Sequence, residues 1–322
     1  MGIISEDMTN KQKYREFCKI EKNIPIFSKD WWLDSVCGED NWDVALVEKG
    51  SKIIASMPFF ETRKFFLKMI LMPKLTKTMG PYIIYPERQR YQEKLSYEKD
   101  IMNKLIDQLP DVDFFFQHFH YSITNWLPYY WRGFKQTTRY TYIIEDLSNL
   151  NDVFSNFSYS KRKNIKRAED LLTVKFDLPA KNFYEHHKMT LAKQNKFINY
   201  SYSLFKRIYD SGYMHNSART IYAEDGQGNI HSALFIIWDD NSAYDLISTI
   251  DPDFRNSGSA SLLIREAIKM VSTVTKKFDF EGSMEESVEN SFRQFGAVQK
   301  PYFRIIKFKN KFIKLLYDVY KE

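Results

Sequence analysis

Two stretches half a chain apart pass through the same order of elements, and that repetition constrains the fold more than any single motif. The first runs from Val112 to Gln117, through a helix-compatible stretch at Trp126 to Trp131, then Gly133 to Gln136 and an aromatic strand ending at Ile144. The second runs from Phe278 to Glu281, through a helical stretch around Val288 to Phe295, then Gly296 to Gln299 and a strand ending at Ile306. Gly133 and Gln136 recur as Gly296 and Gln299 at one offset, close to half of the 322 residues, as a duplicated domain requires. Any strand, helix and strand with a glycine C-cap would look similar, so the flanking segments matter. The strand pair 43–47 and 52–61, the apolar strand Phe65 to Met72 and a helix from Gln92 to Leu109 fill the first half. In the second, Ile230 to Trp238 and Ala243 to Ile250 read as paired strands, and Leu263, Ala267, Met270, Val271 and Val274 line one face of a helix. The pattern predicts an α/β chain of the α+β type in two copies, 1–148 and 149–322, with the seam in the polar run Asp146 to Asn151.

The copies differ at one point. Between strands and helix the second carries Arg255, Asn256, Ser257, Gly258, Ser259 and Ala260, an RxxGxA run at a helix start. Unpaired N–H groups there, with no bulky side chain in front, make a cradle for a diphosphate; a helix cap that binds nothing has the same letters. The first copy has Gly80-Pro81 instead, and proline removes a donor and fixes a turn. The diphosphate is therefore expected on the second copy, and the first is a substrate platform or a packing partner.

Charge and composition exclude several classes. A formal charge of +6 is mild for this length and suggests an anionic ligand without implying a nucleic-acid protein. No apolar run reaches the roughly 18 to 20 residues of a membrane span, and two cysteines, Cys18 and Cys37, make no disulfide framework, so the expected compartment is the cytoplasm. Basic residues concentrate at Lys161, Arg162, Lys163, Lys166 and Arg167 on a predicted helix 161–170 capped by Ser160, either a solvated face or a phosphate contact. His118 and His120 alternate onto one strand face, but no third or fourth ligand accompanies them, so no metal is expected.

These residues resemble a known family. The helix from Lys161 to Glu169, the Arg255 to Ala260 run, Phe278 to Met284 followed by Phe292 to Gly296, and Asn125 to Tyr142 are similar to the Fem-like (FemAB-type) branch of the GNAT acyl-CoA N-acyltransferase superfamily. The resemblance implies tandem GNAT folds, each a mixed, mostly antiparallel sheet flanked by helices, and transfer of an acyl or aminoacyl group to an amine. Two donors compete within that branch. Fem-type enzymes take an amino acid from aminoacyl-tRNA to a cell-wall peptide precursor; other members use acetyl-CoA or longer acyl-CoA on small molecules, amino sugars or peptides. The RxxGxA run and the lack of a long charged coiled-coil arm put acyl-CoA first. A fold that has lost its chemistry and only binds is the third reading.

Amide formation needs a deprotonated amine, a polarised carbonyl and an acid for the leaving group. GNAT folds polarise the carbonyl with a backbone N–H where two strands splay. Glu281, at the end of its strand, is the first candidate base, with capping of the next helix as its alternative; Asp245 is the second. Tyr302 is the candidate acid, and core packing is the commoner fate of a tyrosine. Lys161, Arg162, Arg139 and Tyr140 are the candidate substrate contacts, and Ser248 and Thr249 are candidate partners for pantetheine amides.

Overall fold

The computed structural model describes residues 8–315. It divides into two compact units: Arg139 and everything before it together with Pro301 onward, and Tyr140–Lys300. The chain begins with α1 (Asn10–Ile20) and α2 (Asp30–Cys37), then β1 (Trp42–Lys49), β2 (Lys52–Lys64), β3 (Leu67–Leu71) and β4 (Tyr82–Ile83). α3 (Tyr91–Asp107), β5 (Phe114–His118), α4 (Leu127–Trp131) and β6 (Lys135–Ile144) follow. Next come α5 (Leu150–Ser155), α6 (Tyr159–Glu169), β7 (Thr173–Phe176), α7 (Ala180–Ala192), α8 (Tyr202–Met214), β8 (Ala218–Glu224), β9 (Ile230–Trp238) and β10 (Ser242–Ile250). A 3-10 turn at Pro252–Ser257 leads into α9 (Ser259–Val271), β11 (Lys277–Asp279), α10 (Glu286–Arg293) and β12 (Val298–Phe308). No helix among the described residues is long and apolar enough to cross a membrane.

In the first unit β1, β2 and β3 pair antiparallel in sequence order, β3 runs parallel to β5, and β5 pairs antiparallel with Arg304–Phe308 of β12. In the second, β7 to β10 pair antiparallel in order, β10 runs parallel to β11, and β11 pairs antiparallel with Ile143 and Ile144 of β6. Both units thus use one plan, mostly antiparallel with a single parallel pair. The repeated strand, helix, glycine and strand is there as β5-α4-Gly133-β6 and β11-α10-Gly296-β12, and both glycines adopt left-handed φ, +81° and +73°, as a helix exit needs. The division of the chain differs from a single seam near residue 148. Each unit completes its sheet with the strand that follows the other repeat's helix, so the second unit is an insertion in the first.

Burial sets the elements. β9 is buried at every position from His231 to Ile237, and Phe235 on it packs against Phe183 of α7 and against Phe205 and Tyr209 of α8, at ring distances of 6.1, 5.3 and 5.9 Å. The first unit's core gathers Met57, Ile70, Ile101, Leu105, Phe119, Tyr129 and Ile305. The apolar run from Phe65 is only partly strand. Phe65 and Phe66 form the β2–β3 turn and are exposed, because β2 continues to Lys64 before the chain reverses. α6 begins at Tyr159, and Ser158, not Ser160, accepts the cap bond from the Lys161 N–H. Phe235→Ala removes a fully buried ring joining two helices to the sheet and is expected to cost about 3–5 kcal/mol, read as a lower melting temperature and urea midpoint.

Candidate functional site

The second unit's site is a splay between β10 and β11. Their parallel pairing runs Ser242–Lys277, Ala243–Phe278 and Tyr244–Asp279, and stops there. β10 continues to Ile250 on β9 alone, with a bulge between Asp245 and Ile247 that leaves Leu246 without a register partner on either neighbour. A backbone N–H at such a bulge can point into the opening. Asp245 is buried beside it, and its Oδ2 accepts a 2.6 Å hydrogen bond from the exposed Ser248 hydroxyl. Thr249 faces away, its hydroxyl 2.6 Å from that of Thr190 on α7.

Asp279 closes the other side of the splay. It is buried, and its Oδ1 accepts from the Thr141 hydroxyl of β6 and, at 2.8 Å, from the Glu281 N–H. Those bonds hold Glu281 at φ +62° and Gly282 at φ +55°, two consecutive left-handed residues that turn the chain out of the sheet. A Cβ on Gly282 would overlap the Tyr140 carbonyl, so only glycine fits the second position. Glu281 sits half-buried at the rim. It does not cap α10, whose N-cap is Glu285. Sequence reasoning named Glu281 and Asp245 but not Asp279, whose position between two buried phenylalanines was the available signal.

The RxxGxA run is built differently from an open cradle. Gly258 has φ +86°, and the space a Cβ would take holds the backbone carbonyl of Asn164 on α6. Of the first N–H groups of α9, that of Ser259 goes to Ser257 Oγ, and those of Ser261 and Leu262 go to the Gly258 carbonyl. The Ser259 hydroxyl is buried against Ser232 at 2.6 Å. The N–H groups of Gly258 and Ala260 make no bond of this kind among the described residues, so a diphosphate here would meet two bare donors and not a whole open run. Arg255 and Asn256 are exposed on a turn pinned by Lys193 to Asp251 and Asp253 and by the His231–Phe254 ring stack at 3.9 Å.

α6 supplies the positive charge instead. Lys161 is turned inward, with Nζ 2.8 Å from the Ser291 hydroxyl and 4.3 Å from the centre of the Phe295 ring, and burial lowers its pKa to about 8. Arg162 caps α5, donating to the carbonyls of Ser155 and Phe157. Lys161 is half-buried and Arg162 is exposed. Lys163, Lys166 and Arg167 are exposed, and Arg167 donates to the Asn164 side chain at 3.0 Å, which places charge next to the covered Gly258.

The remaining candidates lie in the first unit or begin the second. Tyr302 makes an edge contact with His118, ring centres 5.7 Å apart. The His118 pKa falls to about 4, first through burial and then through the nearby charge of Arg139, with Arg304 and Lys77 adding to it. Arg139 Nε is buried with no hydrogen-bond partner among the described residues. Tyr140 contributes its carbonyl to the Gly282 contact. His118 ends β5 and faces the Lys77 carbonyl, whereas His120 lies beyond the strand and bonds Ser122, so the two do not form a pair. Among the described residues no group of three or more His, Cys, Asp or Glu is placed to hold a metal.

A parallel pair that splays beside a bulge, followed by a helix, is a GNAT feature, and the family comparison agrees. Residues 155–285 match the family model described as an acetyltransferase (GNAT) domain. That segment is similar to a GNAT-type acetyltransferase domain. Solved structures share the fold over nearly the whole chain. FemX shares it with a TM-score of 0.68 at 11% identity, over 92% of this chain and 96% of that one. The C-terminal domain of a putative lysylphosphatidylglycerol synthetase from Agrobacterium fabrum shares it at 0.53 and 10% identity, over 97% and 96%. A conserved protein of unknown function from Bacteroides thetaiotaomicron does so at 0.55 and 12%, over 95% and 100%. No curated protein sequence matches.

Two outcomes follow for this GNAT domain. Gly258→Ala adds left-handed strain of about 1–3 kcal/mol to an overlap with Asn164, so it is expected to lower the melting temperature without any ligand present. The Lys161 pKa lies below its ordinary value of 10.5, so between about pH 8 and that value the unfolded chain binds more protons and stability rises with pH; below this window the charged amine carries its full burial cost. Lys161→Met is expected to raise stability at neutral pH and to flatten that rise, measured by urea unfolding on either side of the window.

Proposed function

We propose that this N-acyltransferase takes an aminoacyl group from aminoacyl-tRNA and transfers it to an amine of a peptide acceptor such as a cell-wall precursor. The observation that carries this reading is the closed cradle. Where an acyl-CoA enzyme offers open backbone N–H groups to a diphosphate, the Asn164 carbonyl of α6 lies against Gly258, and Lys163, Lys166 and Arg167 of α6 and Arg255 of the preceding turn are exposed. Cations on flexible side chains suit a long polyanion, whose binding they drive through counterion release. The shared fold with FemX over nearly all of both chains supports the same choice. In this reading the two units are tandem GNAT folds, the second holding the donor and the first the acceptor.

The amine nitrogen attacks the ester carbonyl, a C–N bond forms, and the ester C–O bond breaks. Glu281 takes the proton from the ammonium, with Asp245 as the other candidate base, and the Leu246 N–H polarises the carbonyl. The ribose oxygen leaves as a hydroxyl, taking up the proton that Glu281 received. Arg139 is the candidate acceptor contact on the first unit.

The description of the matched family as an acetyltransferase favours a second reading, with acyl-CoA as donor. Incubation with labelled aminoacyl-tRNA and a nucleotide-linked or lipid-linked muropeptide separates them from each other and from a binding protein without chemistry. Labelled peptide is the expected product. Thiol release from acetyl-CoA with the same acceptor, and no transfer from tRNA, would overturn the proposal. Glu281→Gln is expected to lower kcat by about 10²–10⁴, and Lys163→Glu with Lys166→Glu to raise KM for the tRNA and flatten its salt dependence.

A further inference from the structure

One end of the first unit carries an apolar tip inside a cationic collar. β3 runs parallel to β5, and β12 runs antiparallel to β5, so the β2–β3 turn, the start of β5 and the end of β12 all lie at the same end of the sheet. Asp113 ties them together: its N–H bonds the Lys68 carbonyl, its carboxylate takes the Lys68 N–H at 2.9 Å, and its carbonyl accepts from the Lys309 N–H. Lys68 and Lys309 are therefore about 10 Å apart, two strand spacings. The turn beyond Lys68 consists of Phe65 and Phe66, which are 88% and 77% exposed. β2 and β3 run past the start of β1, since Trp42 pairs with Phe60 and residues 61–64 have no partner on that side, so the tip projects.

Beyond Lys309 the chain forms a short helix at 311–315. Ile313 anchors it at 6% exposure, while Phe312 and Leu315, three apart and so on one face, are 60% and 61% exposed. Single exposed apolar residues are ordinary; four large ones at one end of one unit are not. Arg63, Lys64 and Lys68 stand behind the Phe65–Phe66 tip, and Lys311 and Lys314 flank Phe312. Glu61 and Asp111 pair with Lys68 and Lys309 at 3.2 and 2.5 Å, which leaves the collar with more cations than carboxylates.

We propose that this end of the first unit docks on an anionic lipid bilayer, with Phe65, Phe66, Phe312 and Leu315 entering the acyl boundary and the collar meeting lipid phosphates. The order of chemistry decides the partner. Apolar rings lead and cations sit one or two residues behind, which matches hydrocarbon beneath charged headgroups. A nucleic acid would need the cations in front, and a second copy of the chain would bring the same positive collar against itself. The inference is independent of the proposed transfer reaction.

Vesicle flotation tests it with the full chain. The protein is expected to float with vesicles of equimolar phosphatidylglycerol and phosphatidylcholine, to stay behind with phosphatidylcholine alone, and to be released by salt. Phe65→Ser with Phe66→Ser is expected to weaken partitioning at least about tenfold, with circular dichroism and melting temperature unchanged because both rings are already in solvent. Lys311→Glu with Lys314→Glu gives a second, charge-only reading of the same surface and is expected to weaken partitioning as well. Failure to float with the anionic vesicles, or equal flotation of the serine variant, would overturn the proposal. So would a loss of tRNA retention or of self-association, in place of lipid binding, in that variant.

Discussion

A single buried carboxylate sets the geometry of the second unit's candidate site. Asp279 is buried, and its Oδ1 accepts from the Thr141 hydroxyl and the Glu281 N–H. A buried acceptor left without its donors costs more than the bonds themselves are worth, so these two partners are held firmly. The result is a turn that ordinary propensity would not choose, with Glu281 and Gly282 both left-handed. Because the chain turns out after Asp279, β10 loses its neighbour at Tyr244, and the opening beside Leu246 is a direct consequence.

α6 adds the second constraint. Its N-terminus is tied to α10 through Ser158 and Ser160 on the Gln294 side chain and through Lys161 on Ser291, and its middle lies on Gly258. Three of the first N–H groups of α9, those of Ser259, Ser261 and Leu262, are already bonded, and the exposed positive charge of α6 lies on the side chains of Lys163, Lys166 and Arg167.

Much of this was legible in the chain of letters. Strand alternation, the helical face of α9 and the repeated glycine exits follow from local period and backbone need, and local signals report local structure. The partner of each strand is not a local property, so β6 and β12 were read with their own repeats. Phe65 and Phe66 looked like strand because apolar runs usually mean burial, and the pattern does not record where β2 stops. Gly258 shows a different limit: a glycine marks a close approach, but its letters do not say whether ligand or helix makes it. The same holds for Lys161, read as an outward cation and found against a phenylalanine ring.

The exchange of final strands also orders events during synthesis. β5 needs Arg304–Phe308 beside it, and those residues leave the ribosome only after the whole second unit. The second unit can close as soon as Lys300 has emerged, since β6 precedes everything else it contains. The first unit, begun earlier, waits with the β5 edge of its sheet uncovered until the end of the chain arrives, a pairing of high sequence separation and therefore slow. The domain made first is the domain finished last.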